Sequence, residues 1–194
     1  MSEHHITVSV DRNDSPVGLF VNAVGWDYVT DLLLADTKVR MDAMRAYAEQ
    51  NSVTVQGRFP ALKPAVVTGV LAVELYAKTI LKSEGTEVPR VHDLADLFKL
   101  VSAAAMKRTE ELYAECFSKD EAMKQLQAGD TANDYSMAGV IGLCNKAFVE
   151  WRYYHEGVIH SHSPNISPLR RAMKKYLIEK NPEWVNLLEV DQRT

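Results

Sequence analysis

Residues 63–83 constrain the fold of this chain more than any other segment, because they are apolar around most of a helical circumference. Val66, Val70, Val73, Ala77 and Ile80 recur at helical spacing, and leucines at positions 71, 75 and 81 widen that stripe. A helix with so wide an apolar surface has to be enclosed by neighbouring elements. The segment therefore predicts a largely buried helix, with Gly85 as its C-cap glycine.

Most of the remaining chain also has helical periodicity. Trp26 to Glu49 predicts one bent helix or two short ones, with Asp36 as the N-cap of the second. Asp93 predicts the N-cap of a helix, and the chain is then predicted to be helical almost throughout as far as the AGDTAND break. Three later helices are predicted: one from Val140 to about Glu156, one over 168–180 that starts with the Ser167 cap and Pro168, and a short turn after Pro182.

Two short segments near the N-terminus alternate between apolar and polar residues. Ile6, Val8 and Val10 form one, and Val53 and Val55 form the other, so together they predict a small two-stranded ribbon that leans on a helical body. The predicted fold class is all-α, a bundle of about six helices with a small N-terminal β element. Residues 1–60 are predicted to be an extension of short strands plus a helix, packed on a bundle of residues 61–194 in one compact domain.

Composition excludes several classes of protein. A chain of 194 residues with 46% hydrophobic and 25% charged residues is typical of one globular domain. The net charge of −4 provides no global positive field for nucleic acid, and the two cysteines, Cys116 and Cys144, indicate reduced thiols rather than a disulfide scaffold. Without a continuous apolar span or a signal peptide, the sequence predicts a cytoplasmic protein that does not contact a membrane.

The sequence lacks the phosphate-loop, dinucleotide, zincin and serine-hydrolase motifs, so no cofactor is predicted and any chemistry has to come from individual polar residues. Glu74 and Lys78 are four residues apart, which predicts an ion pair on the exposed edge of a mostly apolar helix. If Glu74 instead points inward, its carboxylate needs a buried partner. His92 and Asp93 indicate the start of a helix with a capping carboxylate.

A second group of polar residues ends the most amphipathic helix, in the segment WRYYHE at 151–156. Arg152, His155 and Glu156 are three and four residues apart, so they can share one helical face. An arginine can bind a phosphate through two hydrogen bonds, and a histidine titrates near neutral pH. This combination suits metal-free cleavage of RNA by attack of the ribose 2′-hydroxyl. The alternative is a solvated ion pair beside an aromatic anchor.

Histidines and basic residues stand out in the last third of the chain. His160 and His162 form a His-x-His pair, but no further zinc ligands are close in sequence, so no metal site is predicted and a loop that presents His160 to a substrate or partner is favoured. Basic residues predominate between positions 165 and 180, and we expect four of them to lie opposite Met173 and Leu177, where they could bind phosphates or form a solvated face: Arg170, Arg171, Lys174 and Lys175.

Taken together, these segments resemble the HEPN family of helical domains. The resemblance rests on the order and spacing of ELYAK at 74–78, Gly85, HDLADLF at 92–98 and WRYYHE at 151–156, and it covers roughly residues 60–160. It implies an all-α bundle that forms a homodimer, that binds or acts on RNA or a nucleotide, and that belongs to a toxin–antitoxin or antiphage system.

Many HEPN proteins are metal-independent endoribonucleases whose catalytic histidine follows an arginine by four to six residues. Here two residues separate Arg152 from His155 and seven separate it from His160. The resemblance implies that Arg152 holds the scissile phosphate, that His155 or His160 acts as acid or base, and that Glu74 and Glu156 orient the arginine. The alternative is a non-catalytic, antitoxin-like or regulatory subunit in which the basic last helix and the HSHSPN loop bind a protein partner.

Overall fold

The computed structural model of this chain describes residues 15–54, 62–129, 133–152 and 166–189. The helices within these ranges are, in chain order, α1 (Pro16–Asn51), α2 (Leu62–Ser83), α3 (Leu94–Leu100), α4 (Ala103–Ser118), α5 (Glu121–Gly129), α6 (Met137–Arg152), α7 (Ser167–Lys180) and α8 (Val185–Glu189), with a 3₁₀ turn at Pro182–Trp184. The described part is therefore all-α, as predicted, although it contains more helices than the six expected.

The predicted β ribbon finds no support in the described residues, which include no strand. Ile6, Val8 and Val10 lie outside the described ranges, and so does Val55. Val53 follows the end of α1 in irregular backbone. The 36-residue helix α1 is the described part of the predicted extension, and it packs along α2.

α1 is one continuous helix, so of the two alternatives the single helix is found and the second helix capped by Asp36 is wrong. The helix begins ten residues earlier than expected, where the Ser15 hydroxyl accepts a hydrogen bond from the Gly18 amide (3.0 Å) and Pro16 occupies the first turn. Asp36 lies in the helix interior, where its carboxylate accepts a hydrogen bond from Arg40 Nε (2.7 Å). This i,i+4 pair satisfies the carboxylate without ending the helix.

α2 is the buried helix that the sequence predicts, and it contacts α1, α3, α6 and α7. Its C-terminus has the predicted glycine cap, with Gly85 at φ +75°, a conformation that favours glycine. The Gly85 amide donates to Lys82 O (3.1 Å) and the Thr86 amide donates to Leu81 O (2.9 Å). This pair of bonds is a Schellman motif, which satisfies the last carbonyls of α2.

The region after α2 is less continuous than predicted. The predicted cap forms at Asp93, whose side chain accepts a hydrogen bond from the Asp96 amide (2.9 Å), but α3 ends at Leu100. Ser102 then caps α4, and the Glu84 carboxylate accepts a hydrogen bond from the Ser102 hydroxyl (2.5 Å). Two strong N-caps nine residues apart therefore divide one predicted helical stretch into two helices.

α7 packs between α2 and α4 and begins at Ser167. Its N-cap position is Ile166, which makes no side-chain cap bond, so Ser167 is the first helical residue rather than the predicted cap. The chain then returns to α1, where the Trp184 ring lies 4.8 Å from the Phe20 ring, measured between centroids. Both aromatic side chains are buried in the core.

Two described helices are long and apolar enough to span a membrane by length and composition, namely Pro16–Asn51 and Pro64–Ser83. The apolar window of the second is 67% buried within the bundle, as expected of a core helix, whereas that of the first is 22% buried. Length and composition alone do not distinguish a membrane span from a core helix, so the cytoplasmic location stays a prediction.

Candidate functional site

Glu74 is the centre of a polar cluster on the buried part of α2. Its residue exposure is 2%, and its Oε1 accepts a hydrogen bond from Lys78 Nζ (2.6 Å) and lies 3.0 Å from His92 Nδ1. The Lys78 side chain is itself only 13% exposed. The predicted Glu74–Lys78 pair therefore forms, but the expectation that it lies on an exposed edge is wrong, because Glu74 points inward.

His92 connects this buried carboxylate to the surface. Its Nδ1 is also 3.2 Å from Glu74 Oε2, while its side chain is 67% exposed. A carboxylate bound at Nδ1 favours the tautomer with the proton on that nitrogen, which makes Nε2 the basic nitrogen of the ring. A histidine oriented in this way by a buried acid has the arrangement that general acid–base catalysis uses.

Asn145 in α6 connects the same cluster to the start of α3. Its Oδ1 accepts a hydrogen bond from the Leu94 amide (2.7 Å), and its Nδ2 donates to Asp93 Oδ2 (2.8 Å). The hydrogen bond from Asn145, together with that from the Asp96 amide, holds the pKa of Asp93 below its ordinary value. The α3 N-terminus and α6 are thus held together beside His92 by two hydrogen bonds, of which the one to the Asp93 carboxylate is charge-assisted.

The main predicted catalytic residue, Arg152, is the last residue of α6, and its side chain is not among those described. Positions 145 and 152 are seven residues apart, so they share one helical face and are separated by about 10 Å along the axis. His155, Glu156, His160 and His162 lie outside the described residues. The structure therefore joins Glu74 to Lys78 and His92, and it leaves the predicted contacts of Glu74 and Glu156 with Arg152 untested.

Two residues of this cluster were not singled out as functional by sequence reasoning. His92 was interpreted as part of a helix start, because the contact with Glu74 spans 18 residues of sequence. Asn145 lies inside an apolar periodic helix, and that pattern alone predicts no functional role for it. A signal for Asn145 does exist, since it follows Cys144 and lies near the buried stripe of α6, where a polar side chain needs a partner.

Arg170 does not lie on an exposed basic face, and this part of the prediction is wrong. Its side chain is 2% exposed and binds the Asp27 carboxylate, the Asp27 carbonyl (3.0 Å) and Asp31 Oδ1 (2.7 Å). The reason lies in the helical period, because positions 170 and 177 are seven apart and share the face that Leu177 buries. Arg170 is consequently part of the core.

The same buried site includes Tyr76 of α2 and Lys174 of α7. The Tyr76 hydroxyl donates to Asp27 Oδ2 (3.2 Å), and burial, with the adjacent Asp27 carboxylate, raises the pKa of Tyr76 far above its ordinary value. Lys174 Nζ lies 3.6 Å from the same oxygen, and its side chain is 30% exposed. This network links α1, α2 and α7 and has the character of a structural ion cluster.

The two exposed basic residues of the predicted face are each paired within the chain. Arg171 binds the Asp120 carboxylate, and Lys175 Nζ binds Glu115 Oε2 (2.7 Å). Lys119 binds the other Glu115 oxygen (2.7 Å), and the two lysines lower the pKa of Glu115 to about 2. The positive charge of α7 is therefore largely neutralised by acids of α1, α4 and the α4–α5 turn.

The described residues offer little to a metal ion or a redox reaction. They contain no group of three or more histidine, cysteine, aspartate or glutamate side chains that could hold a metal. Burial raises the pKa of both described thiols, Cys116 and Cys144, and Cys144 is fully buried. Both thiols are free, and as thiols of raised pKa they are poor nucleophiles.

No protein-family model matches this chain, and neither a curated protein nor a solved structure is significantly similar to it. The resemblance to the HEPN family therefore stays a prediction.

Proposed function

We propose that this chain is a HEPN-like, metal-independent endoribonuclease of a toxin–antitoxin or antiphage system. The observation that supports the proposal is the Glu74–His92 pair, in which a buried carboxylate orients an exposed imidazole through Nδ1 at 3.0 Å. We assign proton transfer to His92 in preference to His155 or His160, because its orienting contact is known. Arg152 keeps its proposed role in binding the scissile phosphate.

The proposed reaction needs only these side chains and the substrate's own hydroxyl. The basic nitrogen of His92 removes the proton of the ribose 2′-hydroxyl, whose oxygen attacks the adjacent phosphorus while Arg152 stabilises the developing phosphorane charge. The bond to the 5′-oxygen breaks, and that oxygen takes a proton from the imidazolium. The products are a 2′,3′-cyclic phosphate and a 5′-hydroxyl, and the histidine is returned to its neutral form.

The test is incubation of the full chain with end-labelled single-stranded RNA and excess chelator, at several values of pH between about 5 and 9. We expect cleavage to products with cyclic phosphate ends, and loss of cleavage in Arg152→Ala and in His92→Ala. Arg45→Ala is the matched control, since Arg45 is exposed on α1, away from the cluster. RNA that stays intact under all of these conditions contradicts the proposal.

A second arm tests the nucleophile directly. An RNA with 2′-deoxyribose at the cleaved position lacks the attacking hydroxyl and should resist cleavage, while the flanking positions should still be cut. Cleavage of the deoxy-substituted position at the normal rate would show that water is the nucleophile, and would overturn the role given to His92.

A second candidate function is a non-catalytic, antitoxin-like or regulatory subunit that binds a protein partner. The neutralised charge of α7 favours it, because Arg171 and Lys175 already bind acids of the same chain and attract phosphate weakly. The expected result is a stoichiometric complex that survives gel filtration and has no nuclease activity. A chain that stays alone and cleaves RNA refutes this alternative.

A further inference from the structure

The solvent-facing side of α1 carries a long apolar stripe. Its five large members are Val17, Val21, Tyr28, Leu32 and Val39, which are between 41% and 68% exposed. Their spacings of four, seven, four and seven residues place all of them on one side of the helix. The opposite side, which includes Phe20, Ala23 and Thr30, is buried on the bundle as far as Thr37, whereas Met41 farther along that side is exposed.

Small residues fill the gaps between the large members of the same stripe. Gly25, Ala35, Ala43 and Ala46 are exposed, and the charged residues nearest to the stripe, Asp36 and Asp42, lie along its two edges. The stripe extends over about 44 Å of helix, at about 1.5 Å per residue. Soluble monomers rarely expose a continuous apolar patch larger than a few hundred Å², so a surface of this length indicates an interface.

From these features we infer that a second copy of this chain covers the stripe, with the two α1 helices packed antiparallel about a two-fold axis at Leu32. The large residues concentrate in the first half of the stripe and the small ones in the second. An antiparallel pair therefore sets Val21 opposite Ala43 of the other copy, and Gly25 opposite Val39. At these two positions a large side chain meets a small one, as a self-complementary two-fold interface requires, and the same register sets Tyr28 opposite Asp36 at the edge of the stripe.

The area of the α1 stripe and the charges beside it both favour a second copy of the chain as the partner that covers it. A helical face about 44 Å long and about 10 Å wide offers on the order of 500 Å² per copy, so the pair reaches the roughly 1,000 Å² that a specific interface needs. Two exposed ion pairs flank the stripe within α1 itself, Asp36–Arg40 (2.7 Å) and Lys38–Asp42 (2.8 Å). They leave no basic edge of the kind by which helices bind anionic lipid surfaces, so the protein partner is favoured over a membrane.

The first experiment measures the mass of the full chain by light scattering across a wide range of concentrations. We expect twice the chain mass of 21.8 kDa, and a chain with Leu32→Glu that stays at the single mass, because the variant brings two carboxylates together at the axis. Leu126→Glu is the matched control, since Leu126 is 46% exposed on α5, away from the stripe, and should leave the dimer intact. Because Leu32 is half exposed, circular dichroism should report an unchanged fold in the Leu32→Glu variant.

The second experiment tests the antiparallel geometry by disulfide crosslinking in a Cys116→Ser background. Leu32→Cys should crosslink to itself across the axis. Val39→Cys should not, because the two copies of position 39 are about 21 Å apart in an antiparallel pair, well beyond disulfide reach. The inference is overturned by a monomeric parent chain, by a dimeric Leu32→Glu variant, or by equal crosslinking at both positions.

A flotation assay with phosphatidylcholine vesicles tests whether a membrane, rather than a second copy of the chain, covers the stripe. A parent chain that is monomeric in solution and floats with the vesicles, while the Leu32→Glu variant does not, assigns the stripe to a membrane and overturns the inference. None of these measurements depends on RNA cleavage, so the dimer and the proposed nuclease activity can fail independently.

Discussion

Arg170 of α7 binds the carboxylate of Asp27 in α1 in the interior of the bundle, where the two side chains are only 2% and 7% exposed. A buried ion pair contributes little net stability compared with a well-packed apolar pair, because both charges lose their hydration. Removing one partner is a different matter, since it leaves the other charge buried without compensation. The pair therefore adds little stability itself, but it strongly disfavours any packing of α1 and α7 in which Arg170 and Asp27 do not meet.

The first prediction compares two neighbouring arginines. Arg170→Ala should lower the free energy of unfolding by about 3–5 kcal/mol, because it removes the closest counter-charge of the buried Asp27 carboxylate and leaves only the Tyr76 hydroxyl and the partly exposed Lys174 beside it. Arg171→Ala should lower it by less than about 1 kcal/mol, because Arg171 is exposed and its pair with Asp120 is at the surface. Denaturant unfolding followed by circular dichroism measures both values. Equal losses in the two variants would contradict the assignment of Arg170 to the core.

The second prediction concerns the contact between α2 and the start of α7. A Cβ atom added at Gly69 would lie 2.9 Å from Ile166 Cγ2 and 3.4 Å from Thr30 Cγ2. Gly69→Ala should therefore cost about 1–3 kcal/mol in packing, which exceeds or cancels the gain of about 1 kcal/mol in helix propensity.

Gly142→Ala is the control for that variant. Position 142 is also inside a helix, but an added Cβ there meets nothing within 4 Å, so the substitution should stabilise the chain by about 0.5–1 kcal/mol. The difference between the two unfolding free energies isolates the packing cost at Gly69. A Gly69→Ala variant as stable as Gly142→Ala would show that α7 does not press on α2.

The third prediction is a dependence of stability on pH that comes from Glu115. Hydrogen bonds from Lys119 and Lys175 lower the pKa of Glu115 to about 2 in the folded chain, from its ordinary value of 4.5. Between these two values the unfolded chain binds more protons than the folded one, so stability rises with pH across this window and is lost as the pH falls toward 2. The stabilising contribution is fully present only above about pH 4.5.

Glu115→Gln removes this titration and should flatten the dependence of the unfolding midpoint on pH between about 2 and 4.5. Glu110→Gln is a suitable comparison, because Glu110 is also an exposed glutamate of α4. Thermal unfolding in a series of acidic buffers gives the two profiles. An unchanged slope in Glu115→Gln would mean that the α4–α7 ion pairs do not persist in solution.

The fourth prediction concerns the affinity of α7 for RNA. Asp120 and Glu115 neutralise Arg171 and Lys175, so the double variant Asp120→Asn, Glu115→Gln should free these two cations of α7, together with Lys119, and strengthen RNA binding at low salt. Each additional phosphate that the freed cations neutralise on single-stranded RNA should steepen the logarithmic salt dependence of the affinity by about 0.7. Fluorescence anisotropy with labelled RNA at several salt concentrations measures both effects. An unchanged affinity and slope would exclude α7 as an RNA-binding surface.

The parts of the fold that sequence reasoning predicted correctly depend on local rules. Asp93 was identified as an N-cap and Gly85 as a C-cap because each bond involved joins residues within a few positions of one another. The buried helix at 63–83 was identified from its period alone, since its apolar surface leaves no alternative to enclosure.

The residues that sequence reasoning misplaced have partners far away in the chain. Arg170 was assigned to a surface because Asp27, its counter-ion, is 143 residues earlier. His92 was assigned only to a helix start because Glu74, which orients it, belongs to a different helix. Asp36 shows the opposite problem, since a capping residue type kept a two-helix alternative open although the helical pattern around it is unbroken. Composition and hydrophobic periodicity do not reveal such long-range pairs, because these pairs depend on how the helices cross.

The distance in sequence between Asp27 and Arg170 has a consequence for how the protein is made. At about 5–20 residues per second, the ribosome delivers Arg170 roughly 7–30 s after Asp27. Throughout that interval the Asp27 carboxylate has the Tyr76 hydroxyl of α2 beside it but no counter-charge from Arg170, so the loss of its hydration opposes the packing of α1 on α2. We therefore expect α1 to pack on α2 less stably until α7 has been made, and a product terminated before α7 to be degraded faster than the 194-residue chain.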